Sequence, residues 1–246
     1  MAENTAGLGE QALNKVAEIG LSSQLREVEN MDVSIKTDPL KLITGEVDSV
    51  SVEGEGLVMQ KNLRVEKMEI EAGRISINPL AAAMGKIELE HPTEATCRVL
   101  LTEADINRSF NSEYILGMLQ NLQVEADGQQ LTIDTRQVEV KLPGSERIRM
   151  QARIFIHQTR EERGVTFDAR LVGDRQANRV RLEDVQYSEG EALSQALTAG
   201  LLQKANDLGN IGNFELEGMS LKLLEFEVRP GALQILVEIY AEQFPS

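Results

Sequence analysis

Few residues in this chain are equipped for chemistry. Its histidines are His91 and His157, and its one cysteine is Cys97. A Ser/His/Asp or Cys/His nucleophile system needs a histidine oriented by a third group. His91 precedes Pro92 in a turn-like context and His157 closes a strand-like run, so both read as surface residues. Cys97 lies between Thr96 and Arg98 in an alternating segment, the place of a small core residue rather than a reactive thiol. The chain carries no G-x-S-x-G, H-E-x-x-H or Walker sequence. One cysteine and two separated histidines supply no zinc set, so no metal or cofactor is expected. With 40 Asp and Glu, some carboxylates must meet by chance, so acid pairs carry no information. Asp105 and Asn107 fall in the first turn of a helix, where capping and the helix dipole explain an acid. The inventory points away from an enzyme.

Charge is more informative. Acids outnumber bases 40 to 25, a formal charge of −15. Such a surface repels phosphate backbones, and 4% aromatic residues with no Trp give little for bases to stack on, so nucleic acid is excluded as a partner. The imbalance is uneven. From Lys141 to Arg181 ten bases face five acids, leaving that stretch at +5 and the remainder at −20. After Lys141 every base there is Arg, whose planar fork suits phosphate. Arg147, Arg149 and Arg153 share a parity along one strand-like run, so they are expected on one face. That face is either a solvated surface paired with acids or a contact for an anionic lipid headgroup or membrane surface.

The elements that must position these groups are mostly strands. An N-terminal helix is expected over residues 6–19 within the first 20, with Leu8, Ala12, Val16 and Ile19 as its apolar stripe and Gly20 ending it. Met31, Val33 and Ile35 alternate with polar residues as in a strand. Asp38-Pro39-Leu40-Lys41-Leu42-Ile43-Thr44-Gly45 is a short helix with cap, first-turn proline and exit glycine. Asn78-Pro79-Leu80-Ala81-Ala82-Ala83-Met84-Gly85 repeats that grammar, suggesting one sheet corner used twice. Gly54 and Gly56 lack a third glycine and a following helix, so they read as a turn or bulge between strands and not a phosphate loop. Thr102 with Asp105 resembles a capping box opening a helix to Phe110, and a second helix is expected over 113–122. Strands follow over 130–142, 147–158, 165–172 and 179–187. Ser188 and Glu191 form a capping box for the longest helix, 189–208, striped by Leu193, Leu197, Leu201, Ala205 and Leu208. Strands 221–228 and 233–240 flank Arg229-Pro230-Gly231. Hairpins outnumber strand–helix alternations, so the class is α+β with an antiparallel sheet, in one elongated domain over 1–246.

Several strands are apolar on both sides. Leu224, Phe226 and Val228 oppose Leu221 and Leu223, and Leu233, Ile235, Val237 and Ile239 oppose Leu236 and Tyr240. Such a sheet needs two covers: helices on both sides, or a sheet curved around a helix with an apolar groove for a ligand. No stretch approaches the ~20 apolar residues that span a bilayer. Residues 1–20, with Glu3, Glu10, Lys15 and Glu18, do not read as a secretory signal, so a cytoplasmic or cytosolic-face peripheral location is expected.

Four stretches carry a resemblance: Thr37 to Gly45, Val52-Glu53-Gly54-Glu55-Gly56-Leu57, Leu101-Thr102-Glu103-Ala104-Asp105-Ile106-Asn107, and the closing hairpin from Leu221 through Leu233. In these the chain resembles the bacterial LmeA-like phospholipid-binding family. The resemblance implies a fold similar to the tubular lipid-binding (TULIP) superfamily, in which a long, strongly twisted antiparallel sheet wraps an amphipathic helix and encloses an acyl groove. On that basis Leu193, Leu197, Leu201, Leu208, Phe226, Leu233 and Ile235 are expected to line the groove. Arg147, Arg149 and Arg153 are expected to meet the headgroup or membrane, and phospholipid is the expected partner of a non-enzymatic binder, carrier or sensor. The alternative is a protein-interaction or scaffold module whose groove is filled by its own side chains.

Overall fold

Period-two alternation of apolar and polar residues dictates most of the structure, because a strand sends successive side chains to opposite faces. The computed structural model describes residues 8–23, 25–59, 62–84, 88–126, 128–187, 199, 202–215 and 217–243. Within them lie strands β1 (Asn30–Lys36), β2 (Glu46–Val47), β3 (Ser49–Val58), β4 (Arg64–Ala72), β5 (Ile75–Ser76), β6 (Thr93–Thr102) and β7 (Leu122–Ala126). Strands β8 (Gln129–Gly144), β9 (Arg147–Ile156), β10 (Glu161–Asp174), β11 (Arg179–Tyr187), β12 (Met219–Arg229) and β13 (Ala232–Ala241) follow. The helices are α1 (Leu8–Ser23), α2 (Pro39–Ile43), α3 (Pro79–Ala83), α4 (Glu103–Phe110) and α5 (Glu113–Met118), with α6 over residues 202–208.

The fold is α+β and mainly antiparallel, and one sheet curls strongly into a half-barrel. Among the described residues the strands form not one long sheet but a six-stranded sheet, β1-β3-β4-β6-β13-β12, a five-stranded sheet, β11-β10-β9-β8-β7, and the pair β2-β5. The two large sheets meet at a corner. The turn between β12 and β13 donates Gly231 N–H to Leu142 O of β8 (2.8 Å) and accepts Glu103 N–H at the start of α4 (2.9 Å).

In the five-stranded sheet the alternation is nearly complete. Along β9, Ile148, Met150, Ala152, Ile154 and Ile156 are buried, while Arg149, Gln151 and Arg153 are exposed. The β8–β9 turn places Ser145 and Glu146 at φ of 54° and 60°, the mirror-image geometry whose twist suits a tight hairpin. β7 pairs only with residues 129–133 of β8, which leaves the rest of that edge open. Helix α4 closes it with asparagines one turn apart. Asn107 donates to Val140 O (2.9 Å) and accepts Val140 N–H (2.7 Å); Asn111 does the same with Val138 (2.7 and 3.0 Å).

Three local expectations change. Helix α1 continues through Gly20 to Ser23, and Ile19 is 61% exposed; Ala17 and Leu21 make the packing on β1 and β3 instead. Gly54 and Gly56 lie inside β3, and the chain turns only after Val58. Gly56 needs its freedom: at φ +59° an added Cβ would stand 2.2 Å from Glu29. Helix α5 stops at Met118, and Asn121 at φ 54° swings the chain so that Leu122 and Val124 enter the core from β7. Leu122 fits either period, three residues after Leu119 in a helix and two before Val124 in a strand, and Gly117 weakens the helical one.

The repeated corner is real. β2 pairs with β5, Glu46 opposite Ser76 and Val47 opposite Ile75. Each copy caps its helix alike, Asp38 Oδ1 accepting Leu40 N–H (2.8 Å) and Asn78 Oδ1 accepting Leu80 N–H (3.0 Å). Gly45, at φ +78°, ends the first unit against the second, where a Cβ would stand 2.0 Å from Ile77 O.

Candidate functional site

Register places the apolar residues of the six-stranded sheet in rows on one face. One row runs Val33, Val52, Ile70, Cys97, Val237, Leu223 across all six strands. The row on the Ala232 side of β13 runs Met31, Gly54, Met68, Val99, Ile235, Phe226. Helix α1 covers the β1–β3 part, and the five-stranded sheet with the turn Ile211–Phe214 covers the β12 part. Between these covers Met68, Ile70, Val99, Ile235 and Ile239 remain only partly buried, a continuous aliphatic strip. The opposite face is mixed: Glu53, Glu69 and Arg98 lie in register and the row continues to Leu236, while Leu57 and Val65, on the same parity, are buried.

The strip leads into a cleft of about 170 Å³ at the junction of the sheets, lined by Leu171, Val172, Gly173, Leu223, Phe226 and Val228 and also by Glu146 and Arg175, so that more of its accessible wall is polar than apolar. A second space, of about 20 Å³, lies under α6, with Phe110, Leu119, Met150, Phe167 and Leu208 among its walls. It has room for about one water-sized body and none for an acyl chain.

Of the expected groove residues, Phe226, Leu233 and Ile235 share the inner face of the closing hairpin. Phe226 packs against both core clusters, Leu233 against the five-stranded one and Ile235 against the six-stranded one. Leu208 packs from α6 onto the five-stranded core. Leu193, Leu197 and Leu201, with most of the expected helix, lie outside the described residues. Met68, Val99 and Ile239 are not among the expected groove residues; their signal is alternation within each strand, Met68 with Ile70, Val99 with Cys97 and Ile239 with Ile235, which only the register joins into one face.

The charged groups are mostly engaged. Arg149 grips Asp168 on the next strand through Nε (2.9 Å) and Nη2 (3.1 Å), which raises its pKa. Arg147 and Arg153 make no ion pair among the described residues. All three project from the face of β9 opposite the core. Arg64 joins Glu66 (2.7 Å), Asp105 and Glu29 (2.9 Å), and these hydrogen bonds raise its pKa further. Asp105, 1% exposed, also completes the capping box, accepting Thr102 N–H at 2.8 Å.

His157 Nε2 stands 2.9 Å from Asp134 Oδ2, with its ring edge-on to Phe155. Burial pushes the Asp134 carboxyl up, but the Asn121 N–H, His157 and Arg136 outweigh it and hold it below its ordinary value. Burial pushes the Cys97 thiol up to about 12, which suppresses the thiolate. Among the described residues no three His, Cys, Asp or Glu side chains are grouped to hold a metal ion, and no helix is long and apolar enough to cross a membrane.

An aliphatic strip thus runs along one face of an antiparallel sheet towards a cleft lined by both apolar and charged side chains. Residues 5–238, nearly the whole chain, match the family model described as LmeA-like phospholipid-binding, and the chain belongs to that family. No curated protein matches it.

Proposed function

We propose that the protein binds a single phospholipid without chemical conversion and carries it, with one acyl chain along the strip formed by Met68, Val99, Ile235 and Ile239 and its end in the cleft beside Phe226. The observation that carries this is the strip itself: aliphatic side chains left half-covered on an inner sheet face, in a chain of a phospholipid-binding family. The wrap of a sheet around a helix, as in tubular lipid-binding proteins, is the arrangement this reading assigns to α6. Arg147 and Arg153 are the cations proposed to meet an anionic headgroup or membrane surface, Arg149 being held by Asp168.

Native mass spectrometry of the purified protein is expected to show a co-purified phospholipid, lost in an Ile235→Asp variant that still folds. Wild-type protein that carries no lipid and takes up no fluorescent phospholipid from vesicles overturns the reading. The small space under α6 favours the second reading, a module filled by its own side chains that binds a protein, and that outcome would select it.

A further inference from the structure

We propose that the paired corner helices α2 and α3 form a docking tip that inserts into a net-neutral phospholipid surface. Leu40 and Leu80 are each 76% exposed, and Ile43 and Met84 each 74%. Isolated exposed aliphatics are ordinary on a soluble surface. Here they come in two matched pairs: the residue after each helix's proline, and one a turn further on. The two helices are adjacent, because Ile77 N–H donates to Gly45 O (2.8 Å) and Gly45 lies against the Pro79 ring. Beneath them Val47, Ile75 and Ile77 form a buried base with Ile35, Val50 and Ala72, so the exposed residues stand on a fixed support.

Area and charge choose the occupant. Four aliphatic side chains offer on the order of a few hundred Å², against the ~800 Å² per partner of a stable protein interface. A lipid interface demands no complementary surface and accepts small apolar protrusions. Among the described residues the ionisable groups around the tip are Lys36, Lys41, Arg74, Asp38, Glu46, Asp48, Glu88 and Glu90; with Lys86 of the sequence added, four bases meet five acids, and Lys41 is held by Asp48 at 2.6 Å. That balance gives no attraction to an anionic membrane, so the surface is one carrying phosphatidylcholine-like headgroups.

The tip also lies at the right end of the molecule. β6 runs from Thr93 near the corner to Thr102 at α4, roughly 30 Å of strand. Ile35, Val50 and Ala72 line both the tip's base and the inner sheet face. Apolar surface therefore continues from the tip into the strip, and the docked end is where an acyl chain would enter. In naming lipid as the occupant, this inference rests on the phospholipid-binding reading.

The chain contains no Trp, so Leu80→Trp introduces a single reporter. Its emission is expected to shift to the blue on addition of phosphatidylcholine vesicles, at low and at high salt alike. A Leu40→Ser, Ile43→Ser, Leu80→Ser, Met84→Ser variant is expected to partition onto the same vesicles at least tenfold more weakly while keeping its co-purified lipid. Unshifted Trp emission, undiminished partitioning of the variant, or a change in oligomeric state in place of vesicle binding overturns the proposal; the last would make a second copy the occupant. Should the fourfold variant not fold, the Trp reporter decides alone. Vesicle docking lost in the variant, with no lipid in either protein, supports the tip and overturns only the strip.

Discussion

The two large sheets solve the same problem differently. On the five-stranded sheet the inner face is sealed: Ile133, Val140, Ile154 and Ala169 are 0% exposed and Phe167 2%. On the six-stranded sheet Leu57 (0%), Leu223 (1%) and Val58 (2%) reach that level, while Val99, Ile235 and Ile239, next to Leu223 in the register, stay partly open. The outer faces differ too. β8 to β11 carry the +5 stretch, held in cross-strand pairs such as Arg149–Asp168 and Arg170–Glu183, and the six-stranded sheet turns Glu53, Glu69 and Glu225 outward. The lesson is a division of labour. One sheet supplies stability through a closed core, and the other holds apolar surface in reserve, which a protein keeps only where something covers it.

The largest test of that division is a matched pair of truncations. Phe167→Ala empties a sealed position and is expected to cost about 3–5 kcal/mol in denaturant unfolding, with no specific effect on lipid content. Ile235→Ala, on the open strip, is expected to cost about 1 kcal/mol and to lower lipid occupancy several-fold, because a half-exposed side chain forfeits less burial. Equal stability costs, with lipid unchanged in both, would erase the distinction between the sheets.

The sealed core also depends on how its open edge is closed. Asn107→Ala leaves the N–H and C=O of Val140 without their side-chain partner at a partly buried edge. The expected loss is about 2 kcal/mol, with faster amide exchange at Val138 and Val140 and slower change elsewhere. Uniform exchange across both sheets would show that α4 serves the whole fold and not this edge.

Alternation made β8 to β11 of the five-stranded sheet legible to within a few residues, because β9 needs only one wet face and one dry one; β7 was not, its first residue reading as the end of a helix. The capping box at Thr102 and Asp105 was legible for a similar reason: the spacing is local. What a local pattern does not hold is pairing. Nothing in the composition of Asn107 announces that its amide will mimic a strand for Val140, since the partner lies 33 residues away. Gly56 likewise read as a turn because its neighbour, Glu29, comes from a distant part of the chain. The apolar parity of the closing hairpin pointed to a groove, yet Met68 and Val99 joined it only through register. The arginine parity of β9 was correct, but Asp168 on the next strand, which takes up Arg149, is likewise seen only in the fold.

The smallest expected effect concerns the outer arginines. Arg149 and Asp168 are solvent-facing partners, so Arg149→Gln is expected to leave the melting temperature unchanged within error. Arg147→Gln with Arg153→Gln removes two cations unpaired among the described residues, on a face far from the core, and should be equally silent in stability. Binding separates the two cases. If these arginines meet anionic headgroups, the double variant should bind phosphatidylglycerol-containing vesicles a few-fold more weakly at low salt, converging with wild type at high salt as screening removes the contact. Phosphatidylcholine binding, which the corner helices would supply, should be untouched. A double variant indistinguishable from wild type on anionic vesicles at low salt would return the +5 stretch to a solvated face, its charges balanced across strands and given no partner outside the chain.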